Sequence, residues 1–231
     1  MKRIATILSL IFIGTGSSLH AQNSMFDLGL EGGPNLSTIL MKSSLPSYDP
    51  NPKTAVYGSG GFIFQYNFKN FLSIKTGFSY QRKGYQLNNL PSLDVSTGNM
   101  LSEKGKLNFR MDYLTFPVLV KASFGKKVNY FVNAGPYGGY LLQLTDRTRY
   151  NGSSSTQKDD PDKFGVNRWD FGIAGGIGIA IPIRTYWVVS AEIRNYTGLI
   201  DIAKNNNVQW HTNTTDLRIG VAYKLGFYKE E

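Results

Sequence analysis

Trp169-Asp-Phe-Gly-Ile-Ala-Gly-Gly-Ile-Gly-Ile-Ala-Ile-Pro-Ile183 carries the clearest alternation in the chain. Trp169, Phe171, Ile173, Ile177, Ile179, Ile181 and Ile183 occupy odd positions and are bulky and apolar, while the even positions are small or polar. Side chains alternate across a strand, so this segment reads as a β-strand with one greasy face and one nearly bare face. A soluble sheet buries its greasy face in a core. A membrane barrel turns that face to lipid and keeps small and polar residues inside.

The chain has 231 residues, a length compatible with one β-domain. Lys2 and Arg3, an apolar run from Ile4 to Gly14, and small and polar residues up to Ala21 read as an export signal. Cleavage after Ala21 leaves a barrel domain over 22–231, with 1–21 as the signal peptide. The apolar run is too short to span a membrane as a helix, and no other stretch approaches the roughly 18 to 20 apolar residues that a spanning helix needs. Barrel strands need only about 9 to 11 residues, half of them polar, so a mean hydropathy of -0.24 is compatible with insertion. The absence of cysteine excludes disulfides, thiol catalysis, zinc-cysteine sites and lipidation of an N-terminal cysteine. Net charge is +9, or +7 without Lys2 and Arg3; the basic residues are scattered and the chain is exported, so nucleic acid is not an expected partner.

Working outward from Trp169–Ile183, alternating segments recur along the whole chain. Phe26 to Leu36, Val56 to Phe68, Phe71 to about Gly84, a segment around Leu114 to Phe124 and one around Tyr130 to Leu142 each place apolar residues on one face and polar ones on the other. After the central strand, Trp187 to Tyr196 and Leu217 to Phe227 repeat the pattern. Lys69-Asn70, Gly125-Lys-Lys127 and Arg184-Thr185 are tight turns; the segments read as long loops include Tyr85 to about Leu107, Thr145 to Val166 and Gly198 to about Asn213. Pro117 and Pro136 each remove a ladder donor and point to bulges. Short turns at one end, long loops at the other and an even strand number give the plan of an all-β, eight-stranded antiparallel up-and-down transmembrane barrel. Tyr66, Phe68, Tyr130, Trp169, Tyr186, Trp187, Tyr223 and Phe227 fall near strand ends, where aromatic girdles meet the lipid–water boundary.

Eight strands enclose a bore just wide enough for side chains to fill. The inward face carries Asp27, Glu31, Asp170, Glu192 and Asp216 beside Lys75, Lys83, Lys121, Arg194, Arg218 and Lys224. Charges of both signs in so narrow a space are expected to pair into a structural polar network, since an unpaired ion away from water is costly. The expected lumen is a plug.

In this setting the chain resembles the Bacteroidetes outer-membrane β-barrel family called PorT-like, from about Gly29 to Leu225. The resemblance rests on Gly29-Leu-Glu-Gly-Gly-Pro-Asn-Leu-Ser37, Tyr80-Gln-Arg-Lys-Gly84, Tyr113-Leu-Thr-Phe-Pro-Val-Leu-Val-Lys121, Ala134-Gly-Pro-Tyr-Gly-Gly139, Asp170-Phe-Gly-Ile-Ala-Gly-Gly-Ile-Gly178 and Glu192-Ile-Arg-Asn-Tyr196. It implies the outer membrane of a Gram-negative, Bacteroidetes-type cell; the namesake belongs to the type IX secretion machinery. Relatives end close to an aromatic on the final strand, whereas Phe227 and Tyr228 here are followed by Lys229-Glu230-Glu231.

The leading functional expectation is a non-enzymatic outer-membrane scaffold with periplasmic termini. It acts through its outer loops as a surface or export-complex component, in contact with outer-membrane lipid and with secretion-system or other envelope proteins. The alternatives are a small porin-like solute channel, and a soluble ligand-binding barrel in which the apolar face lines the interior. An enzyme would need a nucleophile or base held in geometry. His211, near Asp216 in sequence, is the sole histidine after the signal and lacks any motif. No cofactor or metal is expected: Asp159-Asp-Pro-Asp162 lacks the spacing of a calcium loop. Tyr48, Tyr85, Tyr150 and Trp210 are candidate loop contacts whose plainer reading is solvated loop.

Overall fold

The computed structural model describes residues 24–43, 52–93, 100–150, 153–161, 164–183, 185–204 and 208–227. The expected signal peptide, Tyr48, Asp162 and the Lys229-Glu230-Glu231 tail lie outside the described residues. The strands are β1 (Ser24–Ser43), β2 (Lys53–Lys69), β3 (Leu72–Leu93), β4 (Met100–Phe124), β5 (Asn129–Tyr150), β6 (Ser153–Asp159), β7 (Trp169–Ile183), β8 (Trp187–Gly198) and β9 (Val208–Phe227). All pairings are antiparallel. Eight strands form a ring in the order β1, β2, β3, β4, β5, β7, β8, β9, closed by β9 on β1; β6 pairs with β5 alone.

The ring matches the plan read from the alternation, but the strands run further than expected. Of the segment Tyr85 to Leu107, read as a polar loop, the described residues continue the β3–β4 ladder from Tyr85↔Phe109 to Leu93↔Met100. The same holds for Thr145 to Tyr150, which pairs with the unforeseen β6 from Leu144↔Asp159 to Tyr150↔Ser153. Backbone pairing needs no apolar face where both sides of a hairpin meet water, so Ser153–Asp159, which contains no apolar residue, carries no alternation to read.

Burial settles which face is which. Ile177 is 63% exposed and Leu30 55%, whereas Arg194 and Asp216 are 0% exposed. The apolar face points out and the charged face in, the reverse of the soluble barrel weighed above. At the turn end Tyr66 packs on Phe68 (ring centroids 4.6 Å apart) and Tyr223 on Trp187 (5.1 Å) and Tyr186 (5.6 Å). At the loop end Tyr140 packs on Trp169 (5.1 Å). Both boundaries of the apolar band are therefore ringed by aromatics.

The two prolines do not make bulges. On β3–β4 the ladder lapses between Thr76↔Val118 and Ser79↔Thr115, and on β4–β5 between Pro117↔Tyr137 and Val120↔Ala134, yet each resumes in unchanged register. A missing donor removes a ladder bond without requiring an extra residue, and the Pro117 carbonyl still has a partner, accepting from the Thr76 hydroxyl at 2.9 Å. The real irregularities lie elsewhere. Leu142 is an extra residue on β5 between Asp112↔Gln143 and Tyr113↔Leu141, and β2 carries one between Thr54 and Ser59. Where β2 departs, β1 reaches β3 directly: Asn35 Nδ2 donates to the Arg82 carbonyl and Gly84 N–H to Ser37 Oγ, both at 3.0 Å.

The glycines of the inner face make room for the ions. A Cβ on Gly176 would lie 2.6 Å from Glu192 Oε1 and 3.1 Å from Asn133 Oδ1. One on Gly198 would lie 2.7 Å from Thr212 Oγ1 and 2.9 Å from Asp170 Oδ1. Gly176→Val is expected to cost about 1–3 kcal/mol through overpacking, read as a lower urea midpoint of the heat-modifiable folded band. The neighbouring Gly175, whose Cβ would come no nearer than 3.7 Å to Asn133 O, is expected to tolerate alanine.

Candidate functional site

Among the described residues, the chemistry-bearing side chains converge in the lumen, which is built in layers. Nearest the turn end, Lys121 Nζ donates to Gln65 Oε1 at 2.9 Å and sits 4.3 Å from the Phe131 ring centre. Gln65 and Asn67 both donate to Asp27 Oδ2 at 3.1 Å. Lys224, expected in the same network, pairs with Asp27 along the ladder but is half-buried at the mouth, outside the ion-pair clusters.

The middle layer holds three carboxylates and three cations. Lys75 Nζ bridges Glu31 Oε2 at 2.7 Å and Glu192 Oε2 at 2.9 Å. Arg194 grips Glu192 with Nε at 2.6 Å to Oε1 and Nη2 at 2.6 Å to Oε2, and reaches Glu31 Oε1 with Nη1 at 2.9 Å. Arg218 contacts Glu31 and donates from Nε to Asp216 Oδ2 at 2.8 Å. Gln81 and Ser59 complete Asp216, and Asn133 Nδ2 completes Glu192 at 2.9 Å. Glu31 sits on β1, Lys75 on β3, Glu192 and Arg194 on β8 and Arg218 on β9, so strands distant in sequence are tied across the bore. Ion pairs out of water are favourable only where the remaining donors and acceptors are also satisfied, which the flanking Asn, Gln and Ser residues do.

Above it, Lys83 and Asp170 pair at 2.7 Å with both side chains fully buried. Tyr113, Tyr137 and Tyr196 surround the ammonium at 5.2, 4.6 and 5.9 Å from their ring centres. Thr212 Oγ1 donates to Asp170 Oδ2 at 2.8 Å. Cation–π attraction is strongest where the cation is desolvated, as here.

The loop end closes the bore with an apolar cap that the alternation did not foretell. Ile39, Tyr85, Phe109, Met111, Tyr113, Leu141, Leu144, Val166 and Ile202 form one buried cluster, with Met41, Leu87 and Trp210 packed against it. Val166 and Ile202 come from the β6–β7 and β8–β9 connections, which are stitched together over the mouth. Val166 bridges Ala203, Asn167 N–H donates to the Ile202 carbonyl at 2.7 Å, and Lys204 N–H to the Gly165 carbonyl at 2.8 Å. Asp201 Oδ1 accepts from the Ala203 and Trp210 amides at 2.9 and 2.8 Å. The short apolar clusters Phe164-Gly-Val166 and Leu199-Ile-Asp-Ile202 within otherwise polar connections are the available signal. Of the candidate loop contacts, Tyr85 and Trp210 belong to this cap rather than to an outward surface. Above the lipid band the strands thus follow the soluble rule, apolar within and polar without.

Other candidates do not assemble. His211 lies on β9 opposite Leu40, and Asp216 is committed to Arg218, Gln81 and Ser59. Asp160 pairs with Arg168 at 2.8 Å. Where the ladder lapses at Gly77 and Pro117, a cavity of about 10 Å³ lies against Glu31, Lys75 and Arg194, with room for about one water.

Arg194→Met removes one of the two cations that Glu31 and Glu192 share and leaves them only Lys75 in common, and is expected to destabilise the folded barrel by about 3–5 kcal/mol in urea unfolding. Adding Glu192→Gln to that variant is expected to restore part of the loss.

A pH effect is expected above the lipid band, at Asp146 on the β5–β6 hairpin. Burial, with the Asp159 charge second, pushes its carboxyl from 3.8 up to about 6. A group with a raised folded pKa stabilises most below its unfolded value, and that contribution is lost as pH rises through about 6. Amides of β6, corrected for intrinsic rates, are expected to exchange more slowly at pH 5 than at pH 7.5, and Asp146→Asn to flatten the difference.

Residues 20–204 match the family model described as outer membrane protein beta-barrel domain. No curated protein matches the sequence significantly. Similar solved structures include Neisserial surface protein A, 16% identical, covering 87% of this chain and 98% of that one, with a TM-score of 0.45. The outer membrane protein OprG from Pseudomonas aeruginosa is 11% identical over 89% and 99%, with a TM-score of 0.48. Ail, the attachment invasion locus protein of Yersinia pestis, is 14% identical over 86% and 98%, with a TM-score of 0.37. These are likenesses of fold alone. The family model covers most of the sequence, and its match agrees with the closed ring, outward apolar band and charged bore: the chain belongs to the outer membrane protein beta-barrel domain family and is an outer-membrane β-barrel protein.

Proposed function

We propose that this protein is a non-enzymatic, PorT-like outer-membrane scaffold whose working surface is its loop end, with the termini on the periplasmic side, and that it serves as a surface or export-complex component. The observation that carries this reading is the double closure of the bore, by interlocked ions in the middle and by the apolar cap above. Solute passage would require breaking both. A filled barrel instead offers a rigid ring on which the capped loops and the β5–β6 hairpin are held. The lumenal acids and bases are engaged with one another, which leaves them poor candidates for a nucleophile or general base. The order and spacing of the glycine and aromatic blocks support the PorT-like kinship and, through it, a place among envelope secretion proteins.

Two readouts test this. In planar lipid bilayers the purified barrel is expected to show no discrete conductance steps; regular steps would favour the solute channel. A photo-crosslinking residue at Ser155 or Lys204 in intact cells is expected to give a discrete adduct with an envelope protein. A matching residue at Lys126, on a short turn, is expected to give a different pattern. Identical patterns from both ends would contradict a loop-end working surface.

A further inference from the structure

A basic strip climbs the outer wall from the loop-end edge of the lipid-facing band, from Arg82 up to Lys106 and Arg149. On β3, Tyr80 is the last outward aromatic and Arg82 is the next residue on the same face. The Arg82 guanidinium lies 5.5 Å from the Tyr80 ring centre. The ladder sets Arg82 beside Asp112, Arg110 beside Thr145, Asn108 beside Arg147 and Lys106 beside Arg149. Phe109, Met111 and Leu144, which alternate with these residues, are buried in the cap, so the cations face outward. Asp112 lies 3.4 Å from both Arg82 and Arg110. Among the described residues, no carboxylate on this face pairs with Lys106, Arg147 or Arg149.

Like charges directly opposite on neighbouring strands are destabilising, and Lys106 and Arg149 are so placed. Arginine forks match phosphate oxygens bidentately, and charge-assisted bonds of this kind are the strong ones. The strip also continues directly from the lipid-facing surface, with Arg82 stacked on an aromatic at its edge. We propose that this strip binds the phosphate groups of lipid headgroups in the membrane leaflet at the loop end. The strip is thus a headgroup site on the wall, separate from the lumen and from the cap. It rests on the barrel fold and not on the scaffold reading.

The test is native mass spectrometry of the full barrel in neutral detergent, titrated with diphosphorylated lipid A, with zwitterionic phosphatidylethanolamine, and with inorganic phosphate as competitor. Lipid A is expected to bind in preference to phosphatidylethanolamine, less so at high salt. The triple variant Lys106→Gln, Arg147→Gln, Arg149→Gln is expected to lose binding at least tenfold. The turn-end pair Lys126→Gln, Lys127→Gln is expected to leave binding unchanged. Heat-modifiable migration reports folding. If the triple variant does not fold, Arg147→Gln with Arg149→Gln, both on the exposed hairpin, is expected to lose binding several-fold. Undiminished binding in the folded variant, equal binding of the zwitterionic lipid, or full displacement by equimolar inorganic phosphate would overturn the proposal. So would binding of a sulfated polysaccharide without binding of lipid A. Conductance is expected to be unaffected in these variants, so a failure here is distinct from a failure of the closed-lumen reading.

Discussion

The structure depends on charge neutrality in a space with no water to spare. Asp27, Glu31, Asp170, Glu192 and Asp216 oppose Lys75, Lys83, Lys121, Arg194 and Arg218 in the bore, and all ten are buried. An ion in such a place is tolerated only with a counter-ion and a full set of hydrogen bonds. That requirement explains the rest of the inner face. Glycine at 176 and 198 leaves volume for the Glu192 and Asp170 carboxylates, and Ser59, Gln81, Asn133 and Thr212 supply the remaining bonds. Because Glu31, Lys75, Glu192 and Arg218 come from strands on different sides of the ring, the network also holds the barrel's cross-section.

The outer face answers to a different solvent. Within the lipid band, apolar side chains face outward and the aromatic pairs at both ends mark its boundaries. Above it, the rule inverts within a few residues, and Leu142 and the extra residue on β2 are where two strands adjust their registers. The apolar cap and the outward cations belong to this upper zone. The same strands β3, β4 and β5 therefore face lipid at one level and water at the next.

Much of this was legible in the sequence, and the boundaries of legibility are physical. The ring of eight was readable because lipid on one side and a charged bore on the other impose a strict period of two. The expected lumenal charges are buried apart from Lys224, which is half-buried near the end of its strand. Beyond the lipid band that contrast disappears. The β3–β4 extension, β6 and the start of β9 therefore lack the alternation that marks a strand, although Phe109, Met111, Val166 and Ile202 hold the cap's pattern in scattered form. The prolines point to bulges only if a lost ladder donor implies an inserted residue; the ladders instead keep their register on both sides of Pro117 and through Pro136.

A solid bore shields its lysines from reagents in water, and amine reactivity reads that shielding out. A small water-soluble acylating reagent applied to the folded barrel, with modified lysines located by mass spectrometry, should label Lys126, Lys127 and Lys158 while sparing Lys75 and Lys83 until the barrel is unfolded. Labelling of Lys75 or Lys83 in the folded protein at rates close to those of the exposed lysines would mean that water and solute enter the bore, and would contradict the account.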